Sequence, residues 1–173
     1  MVPDLPPPPL TDPSYLGHRH WMQQALAQAE VAARAGDVPV GAVVVGPDNQ
    51  LLAATCNRRE QDHDPTAHAE ILALRQASQR LGNWHLNQCT LYVTLEPCPM
   101  CAGAILLSRL GLLVYGADDP KAGAVRSQIN LPDGPCSNHK LPVLAGILAE
   151  PCQQHLQQWF AQRRQNAIGS STE

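Results

Sequence analysis

Residues 89–115 constrain the fold most. Two short apolar runs, 89–94 and 112–115, enclose a helix-length segment that opens Pro97-Cys98-Pro99 and runs to Ser108. Strands joined by so long a connection lie parallel, and the crossover is right-handed. One such unit commits the chain to a sheet with helices packed against it.

The upstream chain extends this pattern. From His20, the residues Trp21, Met22, Ala25, Leu26, Ala29 and Ala32 recur at helical spacing, and Gly36 supplies a stop. A β-branched run at 40–45, turn chemistry at Gly46-Pro47-Asp48-Asn49 and an apolar run at 51–56 predict a hairpin. A helix is expected from about Thr66 to Leu81. Residues 117–140 lack periodicity and form a long connection of the kind kept for binding or gating. An edge strand at 141–147 and a last helix opening at Pro151, with Leu156, Trp159, Phe160 and Arg163 at helical spacings, complete the chain. The expected class is α/β, one mixed sheet with helices on both faces. The expected organisation is a flexible Pro-rich lead over residues 1–17, one domain over 18–166 and a disordered tail over 167–173.

With 173 residues and 44% hydrophobic composition, the chain buries a core without needing a metal to fold. A formal net charge of -3 excludes a nonspecific basic coat for nucleic acid, so any such contact is a local patch. The first 17 residues have no basic start and no signal-length apolar run, and no stretch approaches the ~18 apolar residues of a membrane span. The expected location is therefore the cytoplasm, with no membrane partner. Two of the six cysteines form C-x-x-C behind a proline, which points to metal or redox use in a reducing compartment.

The chemistry concentrates in His68-Ala69-Glu70 and Pro97-Cys98-Pro99-Met100-Cys101, each where a helix should begin. Pro97 suits a first helical position, and Cys98 and Cys101, three apart on the opening turn, would face one way. A helix N-terminus and a metal both favour thiolate. Two thiolates and an imidazole leave a tetrahedral zinc one position for solvent, the arrangement of catalytic rather than structural sites. Glu70 is then the proton carrier and not a ligand. A regular helix would set His68 and Glu70 about 200° apart, so one of them is expected at an irregular helix start, with Asp64 or Thr66 as N-cap.

Alone, H-x-E is ordinary helix content, and C-x-x-C is a redox pair or half of a structural zinc site. A structural site needs a second ligand pair, and a redox pair gives no reason for H-x-E. Together, H-x-E and P-C-x-x-C form the signature of zinc deaminases acting on adenine or cytosine. Cys56, Cys89, Cys136 and Cys152 are expected as core or loop residues.

From about His20 to Gln165 the chain resembles the bacterial tRNA adenosine deaminases, which convert the wobble adenosine of an arginine tRNA anticodon to inosine. The resemblance rests on Val38-Pro39-Val40-Gly41-Ala42-Val43, Asn57-Arg58, residues 63–70, residues 91–98, Met100-Cys101-Ala102-Gly103-Ala104, Asn138-His139 and Gly146-Ile147-Leu148-Ala149. It implies a cytidine-deaminase-like three-layer α/β/α sandwich on a five-stranded mixed sheet, one zinc per subunit and a homodimer that binds a tRNA anticodon stem-loop. It further implies that Asn57 holds the purine edge, that Ala69 donates a backbone contact nearby, and that Asp119 and Lys121 border the substrate groove. Phe160, Arg163 and Arg164 match an RNA-facing terminal helix, where Phe160 offers a stacking face and Arg163, Arg164, Lys121 and Lys140 suit phosphates. A deaminase of free guanine or cytosine shares the zinc signature and is the nearest rival. A non-catalytic RNA-binding domain with structural zinc is a second.

Overall fold

A computed structural model describes residues 12–169, with backbone only for 167–169. Its elements are α1 (Pro13–Arg34), β1 (Gly41–Val45), β2 (Leu51–Cys56), α2 (Arg59–Asp62), α3 (Ala69–Leu81), β3 (Thr90–Leu95), α4 (Pro99–Leu107), β4 (Leu112–Ala117), β5 (Val143–Ala145) and α5 (Ala149–Gly169). The strands form one sheet in the order β2-β1-β3-β4-β5. β1 is antiparallel to β2 and β3, whereas β3, β4 and β5 are parallel. This is the expected mixed five-stranded sheet, and the unit of residues 89–115 supplies its parallel half.

Strand periodicity sorts the side chains into two cores. Ala42 and Val44 of β1, Leu91 and Val93 of β3, and Leu113 and Tyr115 of β4 meet Ala73, Leu74, Ala77, Ile105 and Leu106 of α3 and α4. Val43, Tyr92 and Val114 face the other way, onto Met22 and Ala25 of α1 and Cys152 of α5. Both faces are covered, which explains why these strands read as continuous apolar runs. α1 crosses so close to β1 that a Cβ at Gly41 would run into the Ala25 carbonyl and the Ala29 amide. Among the described residues no helix is long and apolar enough to cross a membrane.

Several boundaries differ from the sequence expectation. α1 begins at Pro13, so residues 13–17 belong to the helix and not to a flexible lead; the expected lead up to residue 11 lies outside the described residues. Asp12 caps this start by accepting from the Ser14 amide at 2.8 Å, with Pro13 at the first position, and Tyr15 packs on the core. At the other end α5 opens at Ala149 and runs to Gly169, three residues into the expected tail, and 170–173 lie outside the described residues. α3 begins at Ala69 rather than Thr66, because the Asp64 carboxylate takes the Thr66 amide and hydroxyl into a local turn. α4 begins at Pro99, so Pro99 rather than Pro97 holds the first helical position.

Candidate active site

The helix starts resolve the angular conflict between His68 and Glu70. His68 is the N-cap of α3, with extended backbone at φ -76 and ψ 148, while Glu70 is already helical. The 200° that a continuous helix would impose therefore does not apply, and both side chains line one cavity of about 160 Å³. Cys98 occupies the same position on α4, as an extended N-cap at φ -71 and ψ 172, and Cys101 sits on the opening turn. Two helix N-termini thus converge on one point, and their dipoles favour anionic sulfur there.

The His68 Nδ1, Cys98 Sγ and Cys101 Sγ atoms all lie within 4.8 Å of one another. Nδ1 is 3.7 Å from the Cys98 sulfur and 3.5 Å from that of Cys101. Zinc–sulfur and zinc–nitrogen bonds of about 2.3 and 2.0–2.1 Å at a tetrahedral angle require a sulfur–nitrogen separation of roughly 3.5–3.6 Å. The donor set and its spacing therefore fit a tetrahedral ion. Among the described residues no other His, Cys, Asp or Glu joins this group, so it offers three ligands.

Hydrogen bonds from Cys101 and His68, against the cost of burial, pull Cys98 down to about 4. The bond to Cys98 and burial push Cys101 up. The bond to Cys98 also raises His68. Burial pushes Glu70 up to about 7, and its Oε2 is buried with no hydrogen-bond partner. An orphaned carboxylate oxygen beside a three-ligand cluster is costly unless something else comes to meet it.

Residues 16–163 match the MafB19-like deaminase family. A tRNA-specific adenosine deaminase of Haemophilus influenzae is 47% identical over 144 residues, 83% of each chain. The chain belongs to the tRNA-specific adenosine deaminase family. A structure solved in studies of A-to-I editing by tRNA:A34 deaminases at the wobble position superposes with a TM-score of 0.77 at 42% identity, over 79% of this chain and 99% of that one. A guanine deaminase of Bacillus subtilis is more distant, with a TM-score of 0.57 at 33% identity over 85% and 94% of the two chains. The cytidine-deaminase-like fold and a hydrolytic deaminase activity follow from membership.

In this deaminase the cavity around Glu70 opens into a groove of about 630 Å³, since Val38, Leu95, Asp119 and Ala122 line both. Lys121, Phe160 and Arg164 line the groove as well, with Phe160 43% exposed. Asn57 lines the inner cavity. Its Oδ1 accepts the Ala69 amide at 2.9 Å, which fixes the side-chain amide and leaves Nδ2 as the donor facing the pocket. The backbone contact that Ala69 was expected to offer a base is therefore spent on orienting Asn57. The Asp119 carboxylate is likewise engaged by its own loop, accepting from the Lys121 and Ala122 amides.

Arg163 is not gathered with the others. Its guanidinium donates to the Gly36 carbonyl at 3.2 Å and lies 4.8 Å from the Trp159 ring centroid, so it ties α5 to the end of α1. Lys140 lines neither cavity. Arg59 and Glu96, given no role from the sequence, both line the inner cavity, whereas Arg58, the arginine singled out beside Asn57, is held bidentately by Asp62 at 2.8–2.9 Å. An acidic residue four positions after Arg58 was the available signal.

Proposed function

We propose that the enzyme converts adenosine to inosine at the wobble position of a tRNA anticodon, with arginine tRNA as the substrate, and that it carries one zinc per chain on His68, Cys98 and Cys101. The convergence of those three ligand atoms beside the unpartnered Oε2 of Glu70 carries this reading. Zinc, when bound, would supply water with its pKa lowered to about 7 as the nucleophile for C6 of the base. Glu70 takes up the proton that this water loses and passes it to N1 of the adenine; it then takes the proton of the new C6 hydroxyl and gives it to the departing amino group, so ammonia leaves and inosine remains. A carboxyl pushed up to about 7 both accepts and releases a proton near neutrality. Asn57 reads the purine edge through Nδ2.

A stacked base does not reach an enclosed cavity, and unstacking costs least in a loop. The groove suits the rest of an anticodon loop: Phe160 stacks a neighbouring base, while Lys121, Arg164 and Arg59 meet phosphates. A free base would leave the groove without a role, which favours RNA over the guanine or cytosine reading. Comparing inosine formation in an arginine-tRNA anticodon stem-loop with turnover of free guanine, cytosine and adenosine tests the proposal. Turnover confined to a free base would reject it.

The two neighbouring arginines separate RNA contact from architecture. Arg164→Ala should weaken stem-loop binding and lower the salt slope of log affinity by about 0.7–0.9, the share of one phosphate contact. Arg163→Ala should leave that slope unchanged and act on thermal stability instead. The reverse pattern in a salt titration would move the RNA-facing role to Arg163.

The working unit is proposed to be a cytoplasmic homodimer joined through the outer face of α3 and α4. Support comes from Leu107 and Trp84, 74% and 59% exposed, which flank a cavity of about 560 Å³ also lined by Ile71 and Leu74. Exposed apolar area of this kind marks a partner surface. Leu107→Glu is expected to sediment as a monomer; equal sedimentation of variant and parent would displace the interface from this face.

A further inference from the structure

Glu96 is buried and lies two residues before Cys98, on the link between β3 and α4. It lines the inner cavity together with His68, Glu70 and Cys98, but no hydrogen bond joins its carboxylate to them. Its carboxylate is instead saturated by the loop that follows β4: Oε1 accepts the amides of Val125, Arg126 and Ser127 at 3.1, 2.8 and 2.9 Å. Oε2 accepts the Asp119 amide at 3.0 Å and the Ser127 hydroxyl. Gly123 passes so near that a Cβ there would run into the carboxylate. The same link is tied to its surroundings twice more, by the Ala124 amide on the Pro97 carbonyl at 2.9 Å and by the Glu96 amide on the Ala117 carbonyl at 2.8 Å.

The loop so gathered carries Asp119, Lys121 and Ala122, the wall shared by or adjoining the inner cavity and the groove. We propose that Glu96 is a positioning residue for the polynucleotide substrate: its buried carboxylate holds the groove wall at a set distance from the Cys98 end of the catalytic pocket. One short link then carries a proposed metal ligand and the clasp for the wall, so the reacting base and the flanking nucleotides meet surfaces referenced to the same backbone. Only a carboxylate serves. A glutamine of the same shape replaces one acceptor oxygen with an NH₂ group that faces donors, leaving at least one backbone amide of the loop without its acceptor.

This inference rests on the RNA reading above, and its test separates the two. Glu96→Gln, Ser127→Ala and the parent enzyme are compared for zinc content, for amide hydrogen exchange over residues 119–127, and for kcat and KM on the anticodon stem-loop. Glu96→Gln is expected to keep one zinc and its melting temperature to within a few degrees, to exchange the 125–127 amides faster, and to raise KM about tenfold with kcat changed less than threefold, because misplacement remote from the chemistry acts through binding geometry. Ser127→Ala, which removes one donor to the Glu96 carboxylate and keeps both carboxylate oxygens, should shift both readouts the same way by a smaller factor. Unaltered exchange and KM in Glu96→Gln overturn the proposal. Should Glu96→Gln lose zinc or fail to fold, Ser127→Ala decides: faster exchange with a raised KM supports the clasp, and parent-like values overturn it. A parent enzyme that does not act on the stem-loop overturns the RNA reading, whereas the exchange comparison stands without it.

Discussion

Glu70→Gln is expected to bind one zinc per chain, to melt close to the parent and to lose on the order of 10³-fold or more in kcat on the stem-loop. The substitution conserves shape at a buried position, so neither a new cavity nor a clash follows, and the three proposed ligands are untouched. What disappears is the capacity to gain and lose a proton at Oε2. General acid–base catalysis contributes about 10²–10⁴-fold per positioned group, and Glu70 is assigned two transfers in one turnover, which places the loss in the upper part of that range. Because burial, with the charge of Cys98 beside it, holds this carboxyl up to about 7, glutamine also removes a group that was costly to bury in charged form. Stability should therefore hold or rise slightly, and a variant that is both active and destabilised would contradict the assigned role. Single-turnover inosine formation together with metal analysis of the same preparation measures both.

Cys101→Ala should release the metal, and turnover should fall with metal occupancy. Cys101 is one of three ligands, so its loss leaves an imidazole and one sulfur. Removal of even an outer partner of a metal ligand costs about 10–100-fold in affinity, which makes ~10²-fold a lower bound here. Prolonged chelation of the parent should have the same effect on turnover, and added zinc should restore it. Neither treatment is expected to unfold the chain. The two cores on the faces of the sheet consist of apolar side chains from α1, α3, α4, α5 and the strands, and the cluster sits at the helix starts, above one core rather than within it. Circular dichroism of the chelated protein decides this point. Coincident loss of helix signal and metal would instead assign the ion a structural role, in which metal binding supplies the folding free energy.

Much of the fold was legible because its rules are local. The β-branched and apolar runs of β1 and β3, the turn after Val45 and the strand–helix–strand spacing of residues 89–115 involve neighbours in sequence, and they led to the observed sheet. The spacing of Cys98 and Cys101 similarly anticipated that their sulfurs meet. The early start of α1 was also available, since Asp12 followed by Pro13 is a helix-opening signal. It was outweighed by the proline content of the segment before it.

Other features had no local signal to read. That His68 and Cys98 both stand as extended N-caps depends on where each helix docks, and a helical wheel places His68 and Glu70 apart. Which arginine remains for a ligand is decided by distant or competing partners: Arg163 meets a carbonyl 127 positions away, and Arg58 is claimed by Asp62. Glu96 finds its donors 23 to 31 residues further along the chain.

By itself, then, the amino-acid order determined which chemistry this protein carries: the imidazole, the two thiols, the carboxylate, and the apolar runs that build a sheet to hold them. Tertiary structure alone decided how these groups are used, namely which oxygen of Glu70 is left without a partner, that the Ala69 amide is spent on Asn57, and that a loop is clasped from beneath by Glu96. The physical reason is range. Capping, turns and periodicity act over about four residues, whereas hydrogen bonds and burial between distant segments exist only once the layers have packed.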